Sequence, residues 1–186
     1  AAGSGGSGIS ATDGPVSLDG NGGANDVVVN NSVGSGGGTI DLTADDSVTF
    51  SVEGDVTSSD GNITITADAD GDSTDEDDGE VVTLDDDGSD TTVVDAGTGT
   101  IDIDAVGDVT LGSLQSDNAG SAAVNIATAG GVVDGGDHAI DVIANTTAGR
   151  LTITVGAGIG DDATGGGADA DIETQVVEVD LSNTTG

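Results

Sequence analysis

Apolar residues along this 186-residue chain recur at every second position in short bursts, with polar or acidic residues between them. Ile40 and Leu42 flank Asp41, and Ile101 and Ile103 flank Asp102. Leu151, Ile153 and Val155 alternate with Thr152 and Thr154. A period of two puts one set of side chains on a buried face and the other in water, so each burst predicts a β-strand. The same pattern predicts a last strand over 175–181, burying Val177, Val179 and Leu181 and exposing Glu178 and Asp180. Weaker strands are predicted over 47–52, 108–111 and 131–133.

The bursts repeat. Segments 38–49 and 99–110 agree without gaps at seven of twelve positions, and a shorter form, Gly-x-Ile/Leu-x-Ile/Leu-x-Ala/Val, returns at Gly61 and Gly149. Looser copies lie at 79–85, 122–128 and 138–144, so the starts fall at 38, 61, 79, 99, 122, 138 and 149. The mean step, roughly eighteen to nineteen positions, suits one winding of a solenoid and is too short for an independent folding unit. The expected fold is an all-β, right-handed parallel β-helix, with a β-sandwich of immunoglobulin-like type as the alternative. Residues 1–37 read as a Gly/Ser-rich segment with the first strands, and 38–186 as the coils. Seven to nine coils would give a rod on the order of 35 to 45 Å long. The acid-rich stretch 68–78 is expected to loop out.

Composition narrows the picture. Thirty-four Gly, 22 Val and 12 Ile are the vocabulary of short strands and turns, while Trp, Tyr, Met and Cys are absent and Phe50 is the single aromatic residue. The interior must therefore be narrow and aliphatic. Without Cys there are no disulfides and no thiolate metal sites. No apolar run is long enough to span a bilayer as a helix, so no membrane insertion is expected. Residues 1–10 lack the basic start of a signal peptide, and the chain reads as a mature or excised piece of something longer.

Charge is the extreme feature. Arg150 alone opposes 36 acids, for a formal net charge of −35. Such a chain repels itself and needs cations or salt to offset the repulsion, and its field repels nucleic acid and anionic membranes. Acid pairs suited to glycoside hydrolysis are inevitable here and carry no information, and a sugar cleft without Trp or Tyr is not expected. The chain is therefore read as no enzyme.

The segments Gly107-Asp-Val-Thr-Leu-Gly-Ser-Leu114, Gly130-Gly-Val-Val-Asp-Gly135, Gly156-Ala-Gly-Ile-Gly160 and Ile172-Glu-Thr-Gln-Val176 resemble the repeats of filamentous-haemagglutinin-like exoproteins. The resemblance covers about residues 38–186. It implies a right-handed parallel β-helix in a bacterial surface protein, hence an extracellular or cell-surface location. The chain departs from that family in its acidity and in having no recognisable secretion domain.

Carboxylates at alternate positions of a turn can converge on Ca²⁺, which takes six to eight oxygens. Asp68, Asp70, Asp72 and Asp75, joined by Asp85 and Asp87 from a neighbouring coil, form the candidate calcium site. Ser73 and Gly79 stand where an EF-hand requires Gly and Glu, so the site would be a looser one. The turn Asp19–Asp26 and the pair Asp134 and Asp137 are weaker candidates, read first as Gly-rich turns. His138 reads as a turn residue, and Arg150 as a structural partner for Asp residues on adjacent coils. Together these readings describe a cation-stabilised surface solenoid, a stalk or self-assembling filament, with homo-oligomers as the expected partners. A calcium-dependent adhesion module binding a host or surface ligand, protein or glycan, is the rival.

Overall fold

In a computed structural model the structure describes residues 8–22, 25–69, 80–136, 139–144, 146–160 and 171–185. The chain winds as a parallel β-solenoid of about six turns, each turn visiting three sheets. The first coil holds β1 (Ile9–Ala11), β2 (Val16–Gly20) and β3 (Val27–Val29). The second holds β4 (Val33–Ser35), β5 (Ile40–Ala44) and β6 (Val48–Phe50), and the third β7 (Val56–Ser58), β8 (Ile63–Thr66) and β9 (Val82–Leu84). Then come β10 (Val93–Asp95), β11 (Ile101–Ala105) and β12 (Val109–Leu111), followed by β13 (Ser113–Gln115), β14 (Val124–Thr128) and β15 (Val132–Asp134). The sixth coil has β16 (Val142–Ala144) and β17 (Arg150–Val155), and the seventh β18 (Thr174–Val176) and β19 (Glu178–Asn183).

The first strand of every coil joins one seven-stranded sheet, the second joins another, and the third joins a sheet of five. Every strand pair is parallel, which excludes the antiparallel sandwich. Ile159 extends the third sheet by a single parallel bridge to Val132. Six inter-coil steps at the usual strand spacing span roughly 29 Å.

Register explains the repeat. Val16, Ile40, Ile63, Ile101, Val124, Leu151 and Val179 form one column of the second sheet, and the intervals between them along the chain are unequal. All of these intervals exceed the step expected from the sequence, which is therefore too short for a coil. That step mixes faces, because the looser copies at 79–85 and 138–144 contain β9 of the third sheet and β16 of the first. The longest interval, from Ile63 to Ile101, contains both the acid-rich stretch and an excursion over 85–92, closed by an antiparallel bridge between Asp86 and Thr91.

The core is a thin aliphatic channel. Ile40, Leu42, Ile63, Ile65, Ile101, Ile103 and Ile126 are fully buried, each contributing about 1.5–3 kcal/mol relative to exposure. Phe50 fits because it too faces inward, on the third sheet. The glycines that open the closest copies of the repeat have a steric reason. A Cβ on Gly61 would stand 2.0 Å from the Gly38 carbonyl oxygen, and one on Gly99 2.2 Å from that of Gly61, so the corners stack backbone on backbone.

The coil at the C-terminal side differs from the sequence expectation. The predicted strand over 175–181 divides at Val177 between β18 and β19. Val179 and Leu181 stack on Leu151 and Ile153, yet remain 47% and 55% exposed because no described residue lies above them. No described strand of the third sheet follows β15, and the channel opens there into a cavity of about 470 Å³ lined by Leu151, Ile153, Ile172, Val179 and Leu181.

Candidate functional site

Strand entries in this solenoid are fastened by acceptor side chains. Asp26, Asp55, Asn62, Asp108 and Asp141 each stand one residue before a strand. Each accepts a backbone N–H at the matching entry one coil later: from Ser47 (3.2 Å), Val93 (2.9 Å), Thr100 (3.1 Å), Gly131 (2.7 Å) and Glu173 (2.8 Å) respectively. Asp and Asn are short enough to bond locally to the backbone, and here they bond across the coil step. Four of the five reach water. Asp141 is fully buried.

Asp141 extends the first sheet by one rung. The Leu114 N–H donates to its carbonyl at 2.7 Å, and the Val142 N–H donates to the Glu173 carbonyl at 3.1 Å. The β16–β18 register then sets Asp141 directly beneath Glu173. In the coil below, the same position is Ser113, whose hydroxyl donates to the Ile140 carbonyl at 2.9 Å. A third carboxylate arrives from the third sheet. Asp134 pairs with Leu111 at the end of an inward-facing column that otherwise reads Val29, Phe50, Leu84 and Leu111. Its Oδ1 accepts the Gly136 N–H at 2.8 Å. One oxygen from each of Asp134, Asp141 and Glu173 lies within 4.8 Å of the other two.

The arrangement breaks a rule that the described strands obey. No register pair of the described strands sets one acid on another. Asp41 lies between Ser17 and Thr64, Asp102 between Thr64 and Asn125, and Asp95 between Thr57 and Gln115. Glu178 lies beside Arg150, forming an ion pair at 3.0 Å. Spacing the acids by neutral rungs limits like-charge repulsion between adjacent strands. Asp141 and Glu173, just before β16 and β18, depart from that spacing: one acid stacks on another, and Asp141 is buried.

Charge at that point is costly. Asp141 Oδ1 and Glu173 Oε2 are both shut off from solvent and have no hydrogen-bond partner among the described residues. Burial pushes the Asp141 carboxyl from 3.8 up to about 8, the Asp134 and Glu173 charges push the same way, and the Glu173 N–H opposes them. A shared proton or a bound cation would relieve that cost. The cluster's three donors are all carboxylate oxygens, a set that suits hard cations.

Of the acids picked out from the sequence, Asp70, Asp72, Asp75 and Asp137 lie outside the described residues, as does His138. Asp68 follows β8 at a corner with positive φ, its N–H donating to the Asp46 carbonyl at 3.2 Å. Asp85 and Asp87 belong to the excursion after β9, where Asp87 Oδ1 accepts the N–H groups of Ser89 and Asp90, both at 2.9 Å. None of these three belongs to a convergent trio among the described residues. Arg150 does pair with an acid one coil away, a Glu rather than an Asp. Asp134 is visible in the sequence as a turn acid, but Asp141 and Glu173 carry no local signal. They lie far apart along the chain, and only the register makes them neighbours.

No family model, curated protein or solved structure matches this chain. Among the described residues no helix is long and apolar enough to cross a membrane.

Proposed function

We propose that this chain is a structural rod, a β-solenoid segment of an extracellular stalk or filament, whose coils stack end to end with a second copy and whose flanks gather cations. The observation that supports it is a channel left unsealed by the described residues. Val179 and Leu181 cap the column at one end with roughly half their surface in water, and Ile9 at 46% exposed lies at the other. A shallower cavity of about 260 Å³, lined by Ile9, Leu18, Val29 and Val33 among others, marks that second end. The second sheet runs from β2 at one end to β19 at the other, so β19 of one copy can meet β2 of the next as β17 meets β19 within the chain. Such a head-to-tail contact does not close, and it propagates as a fibre.

The resemblance to filamentous-haemagglutinin-like repeats favours the surface location, and the charge favours a cation-rich medium. A non-catalytic role fits a molecule whose inner faces are sealed with aliphatic side chains. Analytical ultracentrifugation and negative-stain microscopy test the reading. Rods that lengthen with protein concentration in calcium or high salt are expected, and Leu181→Asp should hold the chain as a monomer. Wild-type chain that stays monomeric at high concentration with calcium present would overturn it.

A further inference from the structure

We infer that Asp134, Asp141 and Glu173 bind a single divalent cation, with calcium the best fit, and that this ion ties the fifth, sixth and seventh coils together at one corner. Each coil supplies one ligand: Asp134 ends β15, Asp141 precedes β16 and Glu173 precedes β18. Three oxygens of which no two stand more than 4.8 Å apart are near the span one ion bridges, because Ca–O bonds of about 2.3–2.6 Å set three evenly spaced ligands about 4.0–4.5 Å apart. Water and nearby carbonyls can complete the six to eight oxygens that calcium takes. Nitrogen and sulfur donors are missing from the trio, which disfavours zinc and copper.

Two independent observations separate this trio from the acids that coat the rest of the rod. Asp141 is fully buried beside the other two carboxylates, and its Oδ1 has no hydrogen-bond partner among the described residues. Within the described strands the register pairs no acid with another acid, yet Asp141 and Glu173, one residue before β16 and β18, are stacked. A diffuse ion atmosphere needs neither burial nor stacking. A specific ion explains both, since it supplies the positive charge that one Arg in 186 residues cannot.

Calorimetric titration of CaCl₂ into EDTA-stripped full chain tests the site, at about 1 M NaCl so that surface charges are screened to within roughly 3 Å. Wild type should show a saturable calcium equivalent that Asp141→Asn and Glu173→Gln each weaken by at least about tenfold, the lower end of what losing even an outer-sphere partner costs. Asp104→Asn, which removes an outward acid of β11, should leave that equivalent unchanged. Far-UV circular dichroism confirms that each variant keeps its β signal. If Asp141→Asn does not fold, Glu173→Gln, at a partly buried position, decides the matter. Shallow, unsaturable uptake by wild type, or equal binding by folded Glu173→Gln, would overturn the inference and leave a shared proton as the occupant. The readout is ions bound per dissolved chain, so it can fail while the rods still assemble, and the converse also holds.

Discussion

Asp141 shows how one position on a ladder changes its chemistry with its neighbours. Asp55, Asp108 and Asp141 use the same hydrogen bond to fasten the next coil, but only Asp141 pairs it with burial and two further carboxylates. Metal-free protein should record the difference as a dependence on pH. With its carboxyl raised from 3.8 to about 8, folded Asp141 keeps a proton that the unfolded chain has released. Its contribution to stability is therefore whole below about pH 4, falls as pH rises and is gone above about pH 8. Asp134 and Glu173 are the charged groups that face it. Chemical denaturation in EDTA should show that gap between wild type and Asp141→Asn, which keeps the acceptor for the Glu173 N–H and removes the proton. Parallel pH profiles for the two proteins would contradict the buried, protonated carboxyl.

Elements in this fold are held at their corners as much as in their sheets. Ser58 Oγ donates to the Gly38 carbonyl at 3.1 Å and accepts the Gly61 N–H at 2.9 Å, and Ser35 repeats the arrangement with Gly14 and Gly38 one coil earlier. Ser58→Ala should cost about 1–3 kcal/mol, since it strands buried backbone groups. Gly61→Ala should destabilise further than any outward Thr→Ala change, because its Cβ meets the Gly38 backbone. Urea denaturation of the three variants measures both, and an indifferent Gly61→Ala would deny the close stacking. The alternation that marks β5, β8, β11, β14 and β17 is plain in the sequence because one face meets the core and the other meets water. The three-residue strands of the first and third sheets are harder to assign to a face, since so short a strand holds only one and a half periods. That is why the sequence pattern counts a β9 copy with the second sheet. The carboxylate trio is invisible for a related reason: its members are neighbours only through a register whose steps along the chain are uneven.

At the scale of the molecule, charge and shape compete. A net −35 on a slender rod favours separation, while parallel pairing and aliphatic burial favour compaction. Melting temperature should therefore climb with ionic strength, and millimolar calcium should do more than the same ionic strength of KCl if the ion site at the fifth to seventh coils is filled. Circular dichroism melts in EDTA, CaCl₂ and KCl separate the two. Equal gains from calcium and KCl at matched ionic strength would mean screening alone.

The coil register carries every other argument, and the absence of native Cys allows it to be measured cleanly. Thr64→Cys with Asp102→Cys places two thiols on adjacent rungs of the second sheet, although a whole coil and its excursion separate them along the chain. Thr64→Cys with Thr83→Cys sets them near one winding of the shorter repeat but on different sheets. Mild oxidation of dilute protein should cross-link the first pair within the chain and leave the second reduced. Cross-linking of Thr64→Cys with Thr83→Cys instead would contradict the stacking from which the rod, its open ends and its carboxylate trio all follow.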